Sequence, residues 1–155
     1  MLTITIIATG KLTERFWREA CDEYLKRLRP YARVQVVEIA DAPDDLGVDA
    51  ALTREGEAIL KAIPAGSLAV LLDRLGIAQT SVQRAQWLER LTVEGTSHLT
   101  FIIGGSNGVS TPVREECAQT ISFGPITLPH NLARVVLLEQ IYRSFKIVRG
   151  EPYHK

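Results

Sequence analysis

Residues 99–108 read Leu99-Thr100-Phe101-Ile102-Ile103-Gly104-Gly105-Ser106-Asn107-Gly108. Within the strand-like stretch 99–103, the apolar run Phe101-Ile102-Ile103 stops on paired glycines, which predicts a strand buried on both faces followed at once by a tight turn. A second such run, Leu68-Ala69-Val70-Leu71-Leu72, precedes it. Further strand-like stretches fall at 2–8, 34–39 and 121–123, and helical patterns fill the gaps between them. Thr13 is placed to cap a helix that carries Phe16, Trp17, Ala20, Tyr24 and Leu28 along one side. A second helix runs over 50–62 and ends at the turn signal Pro64-Ala65-Gly66. A third starts near Thr80, with Val82, Ala85, Leu88 and Leu91 at helical spacing, and Thr111-Pro112 opens a fourth. Strands alternating with helices imply βαβ crossovers. The expected fold class is therefore α/β, a mostly parallel sheet with helices on both faces.

The 155 residues are 46% hydrophobic and 23% charged, which predicts one globular domain able to bury its own core. Eighteen basic side chains balance eighteen acidic ones, which excludes a global cationic blanket for nucleic acid but not a local patch. The charge is uneven. Segment 11–33 holds seven basic and four acidic residues, 130–155 five and two, and 34–66 two and seven, so two positive ends flank a negative middle. Most of these charges are expected on solvated helix faces. Cys21 and Cys117 match no metal-ligand spacing and are expected to be reduced, buried thiols. No apolar run approaches the ~18 residues that span a bilayer, and the start lacks a basic leader. The expectation is a cytoplasmic protein with no membrane contact.

Open α/β sheets bind ligands at the carboxyl ends of their strands. Three such ends stand out: Leu72-Asp73, the glycine loop 104–108, and the stretch 122–130. The loop does not follow GxGxxG spacing, and no GxxxxGK[ST] occurs, so phosphate cradling is unsupported. It does satisfy GxSxG at Gly104, Ser106 and Gly108, the nucleophile-elbow pattern of a serine hydrolase, with His130 or His154 downstream as base. Thr111-Pro112 delays the helix that such an elbow requires.

The last third carries the most information. Over 132–148, Leu137, Leu138, Ile141, Phe145 and Val148 share one helix face, with Glu139, Gln140, Arg143 and Lys146 opposite. Arg134 falls in the apolar sector. Burying an unpaired guanidinium costs several kcal/mol, so Arg134 is expected to meet an acidic partner, a ligand or a subunit interface, unless it snorkels from a frayed helix start. The tail Glu151-Pro152-Tyr153-His154-Lys155 sets an aromatic ring beside two basic groups, a pattern able to stack on a base and contact phosphate.

Together, the strand and glycine loop 101–108, Leu128-Pro129-His130-Asn131-Leu132-Ala133-Arg134, Leu138-Glu139-Gln140-Ile141-Tyr142-Arg143 and Pro152-Tyr153-His154 resemble the RlmH family. These are small SPOUT-class methyltransferases that modify a pseudouridine in large-subunit ribosomal RNA. The resemblance spans the chain, including Phe16-Trp17 and Tyr24-Leu25-Lys26-Arg27. It implies an α/β fold with a C-terminal trefoil knot, a homodimer, and S-adenosylmethionine as methyl donor with no metal. It also implies methyl transfer to N3 of a pseudouridine in 23S ribosomal RNA within assembled ribosomes.

Carried over, Leu72, Gly104, Gly105, Phe123, Gly124, Pro125, Ile126, Thr127, Leu128 and Pro129 would hold the cofactor. Arg134 and His154 are the candidates for anion stabilisation and proton handling, with His130, Arg143 and Tyr153 toward the substrate. Two positions depart from the family pattern. Glu151 stands where relatives often carry histidine, and Ser106-Asn107 follows the double glycine where relatives often carry proline. The competing readings are the GxSxG hydrolase and a non-catalytic ribosome-binding module that uses only the basic ends.

Overall fold

A computed structural model describes residues 1–154. Lys155, included in the tail and in the charge of the C-terminal end, lies outside the described residues. Five strands, β1 (Leu2–Thr9), β2 (Ala32–Ile39), β3 (Leu68–Ala78), β4 (His98–Ile103) and β5 (Gln119–Ser122), form one sheet in the order β2-β1-β4-β3-β5. Every pairing between them is parallel. The α-helices are α1 (Arg15–Leu28), α2 (Val48–Ala62), α3 (Ser81–Val93), α4 (Thr111–Glu116) and α5 (His130–Val148).

Successive residues of a strand point to opposite faces, and the core divides accordingly. Ile4, Ile6, Val70 and Phe101 pack with residues of α1, α3 and α5, while Ile7, Leu71 and Ile102 pack with Ile59 of α2 and Val113 of α4. Ile6, Phe101 and Val70 lie side by side across β1, β4 and β3. This is the α/β sheet with covered faces that the apolar runs required.

Several elements differ from expectation, each for a local reason. β3 continues past Leu72 to Ala78 through a register irregularity, after which Ile77 pairs with Ile121. A Cβ at Gly76 would lie 2.7 Å from the main-chain carbonyl of Thr120, so this continuation needs glycine. The charged Asp73-Arg74 pair hid it. Thr13 does not cap α1; Glu14 takes the cap position, and the Thr13 hydroxyl donates to the Glu14 carboxylate. Phe16 is 60% exposed instead of lying along the buried side, which Trp17 faces. At α3 the expected start holds: Thr80 Oγ1 accepts from Gln83 N and Gln83 Oε1 accepts from Thr80 N, a closed capping box. Val82, however, is exposed. In α4 the cap position falls on Ser110, one residue before Thr111.

Both cysteines are free, but only Cys21 is buried, which corrects the expectation for Cys117. Burial pushes each thiol up to about 11, so neither is a thiolate at neutral pH.

Helix α5 packs against α1 on one side and α3 on the other. Its polar row is accordingly half-buried rather than solvated. Gln140 accepts from Ser81 of α3, and Glu139 is bound to Arg143 one turn away.

Candidate active site

β4, β3 and β5 are neighbours in the sheet, so their carboxyl ends open side by side. A cleft of about 630 Å³ lies there. Leu72, Gly104, Gly105, Phe123, Gly124, Ile126, Thr127, Leu128 and Pro129 line it, with His130 at the start of α5. Of the residues expected at a cofactor, only Pro125 is not on the wall. Ser106 and Gly108 line the cleft too, in a turn closed by a bridge between Gly105 and Gly108. Helix α4 begins only at Thr111, so Ser106 does not occupy a strand-to-helix elbow, and the hydrolase geometry is absent.

The glycines serve different purposes. A Cβ on Gly104 would stand 2.7 Å from the carbonyl oxygen of Gly108, so space forbids it. Gly124 has φ +104, which only glycine adopts without strain, and it lets the chain turn directly after β5. Ser122 holds that turn: its Oγ accepts from Gly124 N at 2.9 Å and lies 3.1 Å from the Arg74 carbonyl oxygen.

Asp73 and Arg74 also line the cleft; sequence reasoning marked Asp73 only as a strand end and missed Arg74. Arg114 Nη2 donates to Asp73 Oδ2 at 2.7 Å and Leu75 N to Oδ1 at 2.9 Å. Burial alone would raise the Asp73 pKa, but the Arg114 guanidinium and the Leu75 amide outweigh it and hold the carboxyl below its ordinary value. The pair therefore stabilises the fold above the unfolded-state pKa of Asp73, and that contribution is lost as pH falls through the lowered folded value. Asp73→Asn is expected to cost less than about 1 kcal/mol at pH 7, because the pair is partly exposed. In urea titrations the difference from the parent should shrink below about pH 4.

Arg134 is buried, 3% exposed, directly beneath this end of the sheet. Its Nη1 donates to Glu38 Oε2 at 2.8 Å and its Nη2 to the Gly10 carbonyl at 3.0 Å. Of the alternatives open from the sequence, an acidic partner within the chain is the one present. Arg134 does not line the cleft, although its neighbour Ala133 does. Above Gly10 two further polar groups converge: a Cβ there would meet Asp41 Oδ2 at 2.9 Å and His130 Nε2 at 3.5 Å. Asp41 went unnoticed in the sequence because it lies in a soft acidic loop far from residue 130.

The other predicted residues gather elsewhere. Arg143 Nε donates to Glu139 Oε1 at 2.8 Å, its guanidinium carbon lies 4.6 Å from the Tyr153 ring centroid, and its Nη1 is 3.1 Å from His154 Nδ1. Guanidinium has only donors, so His154 Nδ1 must accept, which leaves the ring proton on Nε2. The Tyr153 ring meets Tyr142 edge-on with centroids 4.8 Å apart. Burial, with hydrogen bonds to Tyr24 and Glu139, pushes the Tyr153 phenol up to about 12, so it is no base at neutral pH. Glu151, the departure noted above, anchors the tail: Lys146 Nζ lies 2.7 Å from its carboxylate, and the Tyr31 hydroxyl donates to it. At 1.5 Å per residue, Arg143 stands about 15 Å along α5 from Ala133 at the cleft. One chain thus gathers the residues expected at a cofactor, Pro125 excepted, around the cleft but does not bring the tail cluster to it.

Among the described residues no helix is long and apolar enough to cross a membrane, and no cluster of three or more His, Cys, Asp or Glu side chains could hold a metal ion.

A family model described as predicted SPOUT methyltransferase matches residues 2–154. Among similar proteins, ribosomal RNA large subunit methyltransferase H of Carboxydothermus hydrogenoformans is 48% identical over 159 aligned positions, covering 99% of this chain and 100% of the relative. The protein of that name from Desulfitobacterium hafniense is 46% identical, covering 100% of both chains. That from Pelotomaculum thermopropionicum is 43% identical, covering 99% of each.

Proposed function

The chain belongs to the SPOUT methyltransferases, and on that premise we propose that it methylates large-subunit ribosomal RNA, using S-adenosylmethionine, at N3 of a pseudouridine in 23S RNA of assembled ribosomes. The observation that carries this reading is the cleft where three adjacent strand ends meet. Its volume suits a ligand of that size. Leu72, Phe123, Ile126 and Leu128 offer apolar surface for an adenine ring, while main-chain groups at Gly104 and Gly105 are open to close approach by the amino-acid end. Asp73 and Arg74 add one charge of each sign to the wall.

When bound, S-adenosylmethionine supplies a methyl group on a sulfonium. This chain's own task is to fix the cleft and exclude water, because orientation supplies most of the acceleration of an in-line transfer. The N3 proton must leave as well, and the developing anion needs a donor. His154, with its proton on Nε2, suits donation to that anion. Arg134 contributes as a fixed cation beneath the sheet end, and His130, Arg143 and Tyr153 complete the substrate side. No metal is required.

The distance along α5 between cleft and tail supports a homodimer in which one copy's tail reaches the other's cleft. The same reading takes the chain as a single cytoplasmic domain with the family's trefoil-knotted C-terminal segment.

S-adenosylmethionine at about 100 times its Kd should add roughly 2.7 kcal/mol of stability and raise Tm by about 5–10 °C. Mass mapping of large-subunit RNA from cells lacking the protein should then show one pseudouridine without its methyl group. His154→Ala should slow single-turnover methylation. A Tm that ignores the donor, or RNA with its full set of methyl groups, would sink the proposal.

A further inference from the structure

Arg84 on α3 is 5% exposed and has no ion-pair partner among the described residues. Its Nε and Nη1 make no hydrogen bond there either. Burying a cation this way costs several kcal/mol, and a methionine of similar length would fill the same space more cheaply. A local rule broken at such expense points to a function. The void beside Arg84, between Trp87, Leu137, Ile141 and Ser144, measures about 10 Å³. That is room for about one water-sized probe, far too little for a carboxylate ligand. The contacts Arg84 does make are therefore the informative ones.

Both point toward the cofactor cleft from behind. Arg84 Nη2 donates to the Ser122 carbonyl at 3.0 Å, and its guanidinium carbon lies 5.0 Å from the Phe123 ring centroid. Ser122 is the last residue of β5 and anchors the Gly124 turn; Phe123 is on the cleft wall. β5 is an edge strand, paired among the described residues with β3 alone, and two side chains of α3 reach it. Trp87 Nε1 holds the start of β5 by donating to Gln119 Oε1 at 2.7 Å, and Arg84 holds its end.

We infer that Arg84 is a positioning residue for the cofactor site, fixing the Ser122 carbonyl and the Phe123 ring so that the wall formed by 123–129 is pre-shaped before ligand arrives. The inference rests on the methyltransferase reading above. Because pre-organisation lowers the ordering cost of binding, its loss weakens affinity without unfolding the protein.

The test uses the full-length chain, with S-adenosylmethionine binding measured by calorimetry beside Tm. Arg84→Met should keep Tm at or above the parent value and weaken binding about tenfold, the loss expected for a charge-assisted hydrogen bond. Arg84→Lys retains a cation able to donate to the Ser122 carbonyl and should recover binding to within about threefold. Parent-like affinity in Arg84→Met overturns the inference. So does a large fall in Tm or failure to fold, because Arg84 would then be a support of the core and nothing more. An unmodified protein that gives no heat with S-adenosylmethionine overturns the underlying reading instead, before any variant is made.

Discussion

Glu38→Ala is expected to lower Tm by roughly 10 °C, and to destabilise the protein more than Arg134→Met does. The asymmetry follows from where the two charges sit. The Arg134 side chain is 3% exposed and the Glu38 side chain 37%. Removing the carboxylate strands a guanidinium in the interior with one remaining acceptor, the Gly10 carbonyl, and its Nε unpaired. Such orphaned buried charges cost about 3–5 kcal/mol. Removing the arginine lets Glu38 turn to water and leaves only the Gly10 carbonyl without its donor, a loss of about 1–2 kcal/mol. Parallel urea or thermal unfolding of the two variants decides the matter. A larger loss for Arg134→Met would show that the cation's own packing, not its pairing, dominates.

Gly104→Ala is expected to weaken S-adenosylmethionine binding about a hundredfold while the fold survives, because misplacing ligand-holding groups by about 1 Å is that costly. The added Cβ would lie 2.7 Å from Gly108 O, 2.8 Å from Val109 Cγ1 and 2.9 Å from Gly108 C. Two of these are backbone atoms, so the 104–108 turn itself must move into the cleft or away from it. Overpacking of this kind costs about 1–3 kcal/mol, which a domain of this size withstands. Gly105 provides the contrast. A Cβ there meets the Thr9 methyl at 3.2 Å, a contact relieved by a few tenths of an ångström. Gly105→Ala should therefore bind the donor within about tenfold of the parent, since little needs to shift. Calorimetric titration of the neighbouring pair checks both numbers. Equal losses would mean that side-chain volume in the loop, not the Gly104–Gly108 approach, governs the site.

Much of the cleft wall could be read from the chain because its components are local. A buried strand that ends on glycines, and a loop of Gly and Pro after a short strand, mark ligand-facing turns wherever they fold. Asp41 and Arg74 escaped for the opposite reason. An aspartate in an acidic loop and an arginine after a strand look like ordinary surface charge until the sheet brings them over Gly10 and beside the cleft. Arg84 escaped as well, since a single arginine near a helix start gives no sign that it will be buried against the Ser122 carbonyl and the Phe123 ring.

The alternation of strands and helices, the sheet faces covered on both sides, and the three strand ends that form the cleft were all legible in the order of residues. These depend on hydrophobic periodicity and on glycine at particular positions, which act over a few residues. Folding in three dimensions was needed to place β5 beside β3, to bring Arg134 to Glu38, and to fold Tyr153 and His154 back onto α5 about 15 Å from Ala133. Those outcomes depend on contacts between residues remote in the chain. Their energies come from burial and charge pairing in the assembled interior, and no local pattern encodes which partner each group will find.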